Sequence, residues 1–308
     1  MLLPSRTSRR PARAVILLAL ALALVGCQEE VAEDDPIVVG VGSTPEQRVL
    51  AALTVAALED FGLEAALETE LGSTVGLRRV ALRGEIDLFW DYTGAAWGLG
   101  LRQQNPPAEP AESYERVREE DLDQGLVWLA PSSANATLAI FVRAADLDGR
   151  GMEWLSGELS GGSAPLCVDA DFQTRAGGLA ELATVYPMDL GRVDVVPASE
   201  DQAVAWTASG RCFAGLATAT SGEAAAQDLV PVTDELGAFP AFIAAPVVRD
   251  DVLRGEPDIA DALEQVTTRL DTAALARLNA EAGIAADAGE LQALAERFLA
   301  ETTAEAAG

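Results

Sequence analysis

The chain has no histidine and no lysine; all 21 of its basic residues are arginine. Each absence removes chemistry. Without histidine there is no Ser-His-Asp or Cys-His nucleophile pair and no imidazole to ligate a metal. Without lysine there is no Schiff base and no phosphate-loop lysine. Basic charge is scarce altogether: 49 acidic residues bring the formal net charge to −28. Nucleic acid needs a basic surface and is excluded as a partner; docking on an anionic membrane face is excluded for the same reason. An enzyme here would have to work with carboxylates, Ser, Tyr or Arg alone. Asp169 and Asp171 form a pair within reach of acid–base work, but they read better as strand-end and turn residues. No catalytic residue is assigned, and no cofactor or metal is implied.

Long apolar runs are also missing, with one exception near the start. Arg6, Arg9, Arg10 and Arg13 precede an apolar run of 13 residues, Ala14 to Gly26. A transmembrane helix needs roughly 20 residues, and the shorter run suits a signal peptide. It ends Leu24-Val25-Gly26-Cys27, which resembles the lipobox of bacterial lipoproteins. By that resemblance residues 1–26 are a lipoprotein signal peptide and Cys27 is the acylated first residue of the mature chain. The protein is then expected on the extracytoplasmic face of the cell membrane, held there by the lipid anchor only. An ordinary signal peptide with an incidental cysteine is the other reading. Residues 27–36, rich in acids, read as a flexible tether. Cys167 and Cys212 remain, and two cysteines in an oxidising exterior often pair. Cys167 falls in an expected strand, Leu166–Asp169, and Cys212 near the start of another, Arg211–Thr218. If these strands are neighbours, the thiols lie at one end of a sheet, within bridging reach; two buried free thiols are the alternative.

What is present is an alternation of strand and helix. Ile37–Gly42 is an apolar strand. Thr44-Pro45-Glu46-Gln47 opens a helix, with Thr44 as N-cap, Pro45 at the first helical position and Gln47 able to close a capping box. Leu50, Leu53, Ala57 and Phe61 follow at helical spacing. Strand Glu64–Leu71, helix Val75–Arg83 and strand Ile86–Trp90 come next; Gln103–Glu112, with three prolines, reads as a loop, and Tyr114–Leu122 as a helix. Leu126–Pro131 and Thr137–Arg143 are extended and cross to a second alternating unit. That unit comprises strand Leu166–Asp169, helix Ala176–Tyr186, strand Val193–Pro197, helix Asp201–Ala208 and strands Arg211–Thr218 and Leu229–Thr233. Phe239–Val248 is extended and returns the chain, and residues 250–305 form three helices. The pattern implies an α/β fold: two parallel-type sheets joined by two extended hinge crossovers. Lobe 1 is expected over 37–136 and 243–308, lobe 2 over 137–242. Such a hinged clamp traps a small ligand between lobes.

One stretch narrows the class. Leu71 to Gly94 reads LGSTVGLRRVALRGEIDLFWDYTG. It resembles the substrate-binding proteins of ABC importers for glycine betaine, choline and related quaternary amines. So do Gly42-Ser43-Thr44-Pro45-Glu46-Gln47, Asn135-Ala136-Thr137-Leu138-Ala139, Asp171-Phe172-Gln173-Thr174-Arg175, Phe239 to Arg249, Leu278-Asn279 and Phe298-Leu299. The resemblance covers nearly all of residues 37–303. It implies a two-lobed periplasmic-binding-protein fold of type II, a small zwitterionic or cationic solute, an ABC permease with its ATPase as partner, and a monomer.

The resemblance also assigns a site, with departures. The family holds its ligand cation in a cage of four tyrosines. Tyr92 matches one of them. Leu138 stands where a second would be, Thr218 falls near the third, and Phe242 replaces the fourth, keeping the ring. Trp90 is aimed with Tyr92 if the strand stays regular and would then stand in for a missing wall; core packing is the other reading for Trp90 and Phe242. Arg175 resembles the arginine that holds a betaine carboxylate, a role suited to a guanidinium; an ion pair with Asp171 is its alternative. Thr93, Asn135 and Thr137 are candidate polar contacts from the hinge, and Thr44 and Gln47 from the first loop. The function implied is delivery of a betaine- or choline-like osmolyte to an importer. A different solute in the same fold, or an envelope sensor without transport, are the other readings.

Overall fold

The computed structural model describes residues 35–104, 107, 109–283 and 287–305. The expected signal peptide, Cys27 and nearly all of the tether lie outside the described residues. Among the described residues no helix is long and apolar enough to cross a membrane.

The first lobe opens with β1 (Ile37–Gly40), α1 (Pro45–Asp60), β2 (Ala65–Glu68), α2 (Thr74–Ala81), β3 (Leu88–Tyr92), α3 (Pro110–Leu122) and β4 (Leu126–Trp128). The second lobe contains β5 (Leu138–Arg143), β6 (Leu166–Val168), α4 (Ala170–Thr174), α5 (Leu179–Val185), β7 (Val195–Pro197), α6 (Glu200–Ala208), β8 (Ala214–Thr218), α7 (Gly222–Ala226) and β9 (Leu229–Pro231). The chain then returns through β10 (Ala244–Arg249) to α8 (Asp258–Thr267), α9 (Thr272–Ala282) and α10 (Ala288–Glu305).

The strand orders are β2-β1-β3-β10-β4 and β7-β6-β8-β5-β9. Three strands of each sheet are parallel, as strand–helix alternation requires. The crossover strand runs antiparallel to both neighbours: β10 between β3 and β4, and β5 between β8 and β9. Each sheet is therefore mixed, and each crossover is stitched into the sheet it enters. This is the type II arrangement of a two-lobed binding protein.

α1 is the central helix of the first lobe. Thr44 caps it, its side-chain oxygen accepting from Gln47 N at 3.2 Å, and Pro45 begins it. Every residue from Val49 to Leu58 is buried, because the helix lies between the sheet and α8, α9 and α10 and has no solvent face. It ends before Gly62, whose φ of +77° is open to glycine at little strain. The second lobe has its own core around Ile140, Leu155, Leu166, Phe172, Tyr186 and Leu216.

Several boundaries differ from the sequence expectation. α3 begins inside the expected proline loop, since Pro110 takes a first-turn position that has no N–H to satisfy. The expected helix 176–186 is shortened to α5, and α4 before it is a separate helix that was not anticipated. Gly177 at φ +72° breaks the chain between them, and a Cβ on Gly178 would fall on the Phe172 carbonyl. A helix over Met152–Ser160 was not anticipated, although its buried Met152, Leu155, Ser156 and Leu159 follow helical spacing.

Cys167 and Cys212 form a disulfide with Cα atoms 6.0 Å apart, in a small buried cluster with Ala198 and Ala203. The two cysteines are 45 residues apart in sequence, a loop whose closure restricts the unfolded chain by up to about 4 kcal/mol. Reduction, or Cys167→Ser with Cys212→Ser, is expected to lower the urea midpoint by a corresponding amount. An unchanged midpoint would show that the bridge adds nothing.

Beneath the first sheet, Arg78 donates to Asp121 in two bonds, one of them 2.6 Å, and lies 3.9 Å from Asp91. Trp128 Nε1 also donates to Asp121, at 2.7 Å. Burial pushes the Asp91 carboxyl up to about 7, against the Tyr92 amide and Arg78, while Asp121 adds to the rise. The folded state thus holds the Asp91 proton more tightly than the unfolded chain does. The stability this contributes is full below about pH 4 and declines as pH rises to about 7. Asp91→Asn should flatten that decline in urea midpoints measured from pH 4 to pH 8.

Candidate functional site

The site is built on the hinge. The two crossovers run antiparallel and pair at Asn135 and Ile243. Ala136 N donates to Phe242 O at 2.9 Å, and Phe242 N donates to Asn135 Oδ1 at 2.8 Å. Thr137 Oγ1 donates to Pro240 O at 2.6 Å. Thr93, fully buried just past β3, binds the same strand three times. Its N donates to Ile243 O at 3.1 Å, its Oγ1 accepts from Ile243 N at 3.1 Å, and that hydroxyl donates to Ala241 O at 3.2 Å. Thr93, Asn135 and Thr137 are thus taken up by the hinge itself.

A cleft of about 670 Å³ opens beside this hinge. Thr44, Glu46, Gln47, Tyr92 and Ala95 line it from the first lobe, and Ala136 and Phe242 from the hinge. Glu200, Asp201, Thr218, Thr220 and Glu223 line it from the second lobe, and Asn279 from α9. Tyr92 is the last residue of β3, at the carboxyl end of the strand, where α/β folds place their ligands. Its hydroxyl donates to Glu46 Oε1 and accepts from Gln47 Nε2 at 3.4 Å. Burial first, and then the Glu46 charge, push the Tyr92 hydroxyl well above its ordinary value, so it stays a donor. Gln47 therefore reaches Tyr92 and does not close the expected capping box. Glu46 Oε2 accepts from Asn279 Nδ2 at 2.7 Å, and the same amide donates to Thr220 O at 2.9 Å. That last bond ties α9 to the second lobe.

Phe242 packs on the Tyr-Thr-Gly glycine: a Cβ on Gly94 would lie 2.6 Å from the ring. Thr218 turns both of its donors to Glu200, N to Oε1 at 3.0 Å and Oγ1 to Oε2 at 3.1 Å.

The structure brings together Thr44, Gln47, Tyr92, Thr218 and Phe242 along the cleft. It places three expected residues elsewhere. Trp90 does share a sheet face with Tyr92, as alternation requires, but it sits one strand repeat deeper. It is 1% exposed, lies in the first-lobe core, and donates Nε1 to Thr54 Oγ1 at 2.8 Å. Two residues along a strand is about 6.6 Å, enough to carry the indole under α1 and out of the cleft. Leu138 packs against the second-lobe core opposite Thr218 in the sheet. Arg175 follows α4, and its Nε pairs with Asp171 at 3.2 Å, with the guanidinium 5.5 Å from the Phe172 ring. Sequence reasoning did not assign Glu46, Asn279, Thr220, Glu200 or Glu223. Glu46 and Asn279 both stood in stretches that carried the family resemblance, Thr-Pro-Glu-Gln and Leu-Asn.

Two mixed sheets, a paired hinge and a cleft with two aromatic walls define a two-lobed solute-binding protein. Residues 35–301 match the family described as the substrate-binding domain of ABC-type glycine betaine transport systems, and the chain belongs to that family. A glycine-betaine-binding protein of Pseudomonas aeruginosa is 30% identical over 282 residues, covering 87% of this chain and 89% of the relative. The glycine betaine-binding protein YehZ of Escherichia coli is 31% identical over 262 residues, covering 81% and 85%. The solved structure of apo YehZ superposes with a TM-score of 0.79 at 28% identity, covering 87% of this chain and 99% of that one.

Gly94→Ala should force the Phe242 ring out of its seat, because the hinge fixes that backbone on both sides. Loss of affinity for any cleft ligand, with the fold retained by circular dichroism, is the expected result; unchanged affinity would show that Phe242 is not a wall of the site.

Proposed function

We propose that the protein is an extracytoplasmic lipoprotein that closes its lobes on a betaine- or choline-like amine. It then delivers the solute to an ABC permease with its ATPase, as a monomer and without catalysis. The cleft carries this reading. Tyr92 and Phe242 offer aromatic faces beside the Glu46 carboxylate, and each cation–π contact contributes roughly 0.5–2 kcal/mol. The names of the Pseudomonas and Escherichia relatives point to glycine betaine.

Arg175 is the proposed carboxylate partner. Its side chain is 40% exposed and that of Asp171 79%. An exposed ion pair is worth little, so the guanidinium can exchange Asp171 for a ligand carboxylate when the lobes close. Thr93, Asn135 and Thr137 then serve as hinge residues that hold Phe242 in place, and Thr44, Gln47 and Thr218 as polar lining.

Calorimetric titration of the full-length protein against glycine betaine, choline, carnitine and proline betaine tests the reading. Micromolar or tighter binding to at least one is expected. Arg175→Ala should weaken glycine betaine by about tenfold or more, the loss of a charged bidentate contact, and leave choline unchanged. No binding to any of the four would refute the ligand class.

A further inference from the structure

The lobes meet a second time, away from the paired hinge strands. α9 starts at the hinge: Asp271 caps it by accepting from Ala274 N at 2.7 Å, and Thr272 Oγ1 accepts from Asn135 N at 3.0 Å. Its Ala274, Leu275, Leu278 and Ala282 are packed in the first-lobe core, so the helix moves with that lobe. Roughly 10 Å further along the helix, Asn279 meets the second-lobe loop between β8 and α7. Its Nδ2 donates to Thr220 O at 2.9 Å and to Glu46 Oε2 at 2.7 Å. Both hydrogens of the amide nitrogen are therefore engaged, one in each lobe.

Gly222 seats the same loop on α9. A Cβ there would lie 2.4 Å from Ala280 N and 2.5 Å from the Asn279 carbonyl carbon. Gly222 is the first residue of α7 and has no positive φ. The turn itself therefore does not need glycine; the backbone-to-backbone approach to α9 does. The other acceptor of the Asn279 amide, Glu46, accepts from Tyr92. Tyr92, Glu46, Asn279 and Thr220 thus form one chain of hydrogen bonds from a cleft wall to the second lobe. Parting the lobes breaks it at Thr220 and lifts Gly222 off α9, while Glu46 and Tyr92 stay together in the first lobe.

Resting on the assignment of this cleft as the solute site, we propose that Asn279 and Gly222 are positioning residues that latch the lobes closed and scale the affinity of every solute by one common factor. Apparent affinity is the affinity of the closed form multiplied by the fraction of protein that is closed. Tyr92 and Phe242 act on the first quantity and the latch acts on the second. The Asn279 donors are both held within the protein, so the latch draws no distinction between solutes.

Two variants test this by different routes. Asn279→Asp keeps the size of the side chain, with at most one hydrogen to give in place of two. Gly222→Ala adds a methyl against the α9 main chain and removes no side chain from the cleft. Small-angle X-ray scattering of the full-length protein without solute reports the separation of the lobes. Calorimetric titration with glycine betaine, choline, carnitine and proline betaine reports affinity, and the thermal midpoint reports folding. Both folded variants should show a larger radius of gyration than the parent, which saturating solute returns to the parent's value. In each variant every amine that the parent binds should weaken by the same factor, about three- to tenfold, the worth of one net hydrogen bond. An unchanged radius in both variants would overturn the latch. So would affinities that shift by different factors, since Asn279 would then be a solute contact; in both cases the proposed function stands. If the parent binds none of the four, the proposed function falls and the scattering alone decides the latch.

Discussion

The pairing of the two crossovers is the constraint on which the rest of the molecule depends. Asn135 and Ile243 bridge the hinge strands, and Asn135 Oδ1 fixes the Phe242 amide. Thr93 then fastens the end of β3 to the same strand by three bonds. Because Thr93 follows Tyr92 directly, this fastening places Tyr92 and Phe242 side by side at the mouth of the cleft. Gly94 completes the arrangement by leaving room for the ring. The candidate contacts in the hinge are therefore spent on backbone, and hold residues that line the cleft. Any opening of the lobes has to bend around these bonds, since both strands continue into the sheets they join.

Glu46 is the second point of convergence. It stands in the first turn of α1 and accepts from β3 through Tyr92 and from α9 through Asn279. Asn279 in turn reaches the Thr220 carbonyl of the second lobe. The two lobes approach here as backbones, because a Cβ on Gly222 would fall on the main chain of Asn279 and Ala280. One carboxylate, one amide and one glycine thus join three elements of the first lobe to the second at the edge of the cleft.

Much of this was legible before the structure. Alternating strands and helices and two extended crossovers give the two sheets, and the Thr-Pro start of α1 is where composition places it. The antiparallel entry of β5 and β10 into the sheets was not foreseen, because a crossover strand carries no local mark of its direction and looks like any apolar run. The site was less legible still. Trp90 illustrates why: strand alternation gives the face a side chain points to, but not its depth along the strand, and one repeat separates a cleft wall from a core residue. Thr93 and Asn135 show a related limit. Small polar residues near a cleft serve backbone or ligand equally well by type, and only the register of the returning strand decides. Glu46 was hidden by its place in a good helix start, where an acidic residue is expected for electrostatic reasons alone.

The charge of the whole chain bears on the cleft in two different ways. A net charge of −28 draws cations toward the surface and repels anions. The exposed Glu200, Asp201 and Glu223 extend that field to the cleft mouth. Salt screens such contributions over about 8–10 Å, so they act on encounter more than on the bound state. Glu46 differs because it is half-buried and oriented by two donors. Its interaction with a bound cation is screened much less, and it is directional where a ring face is not.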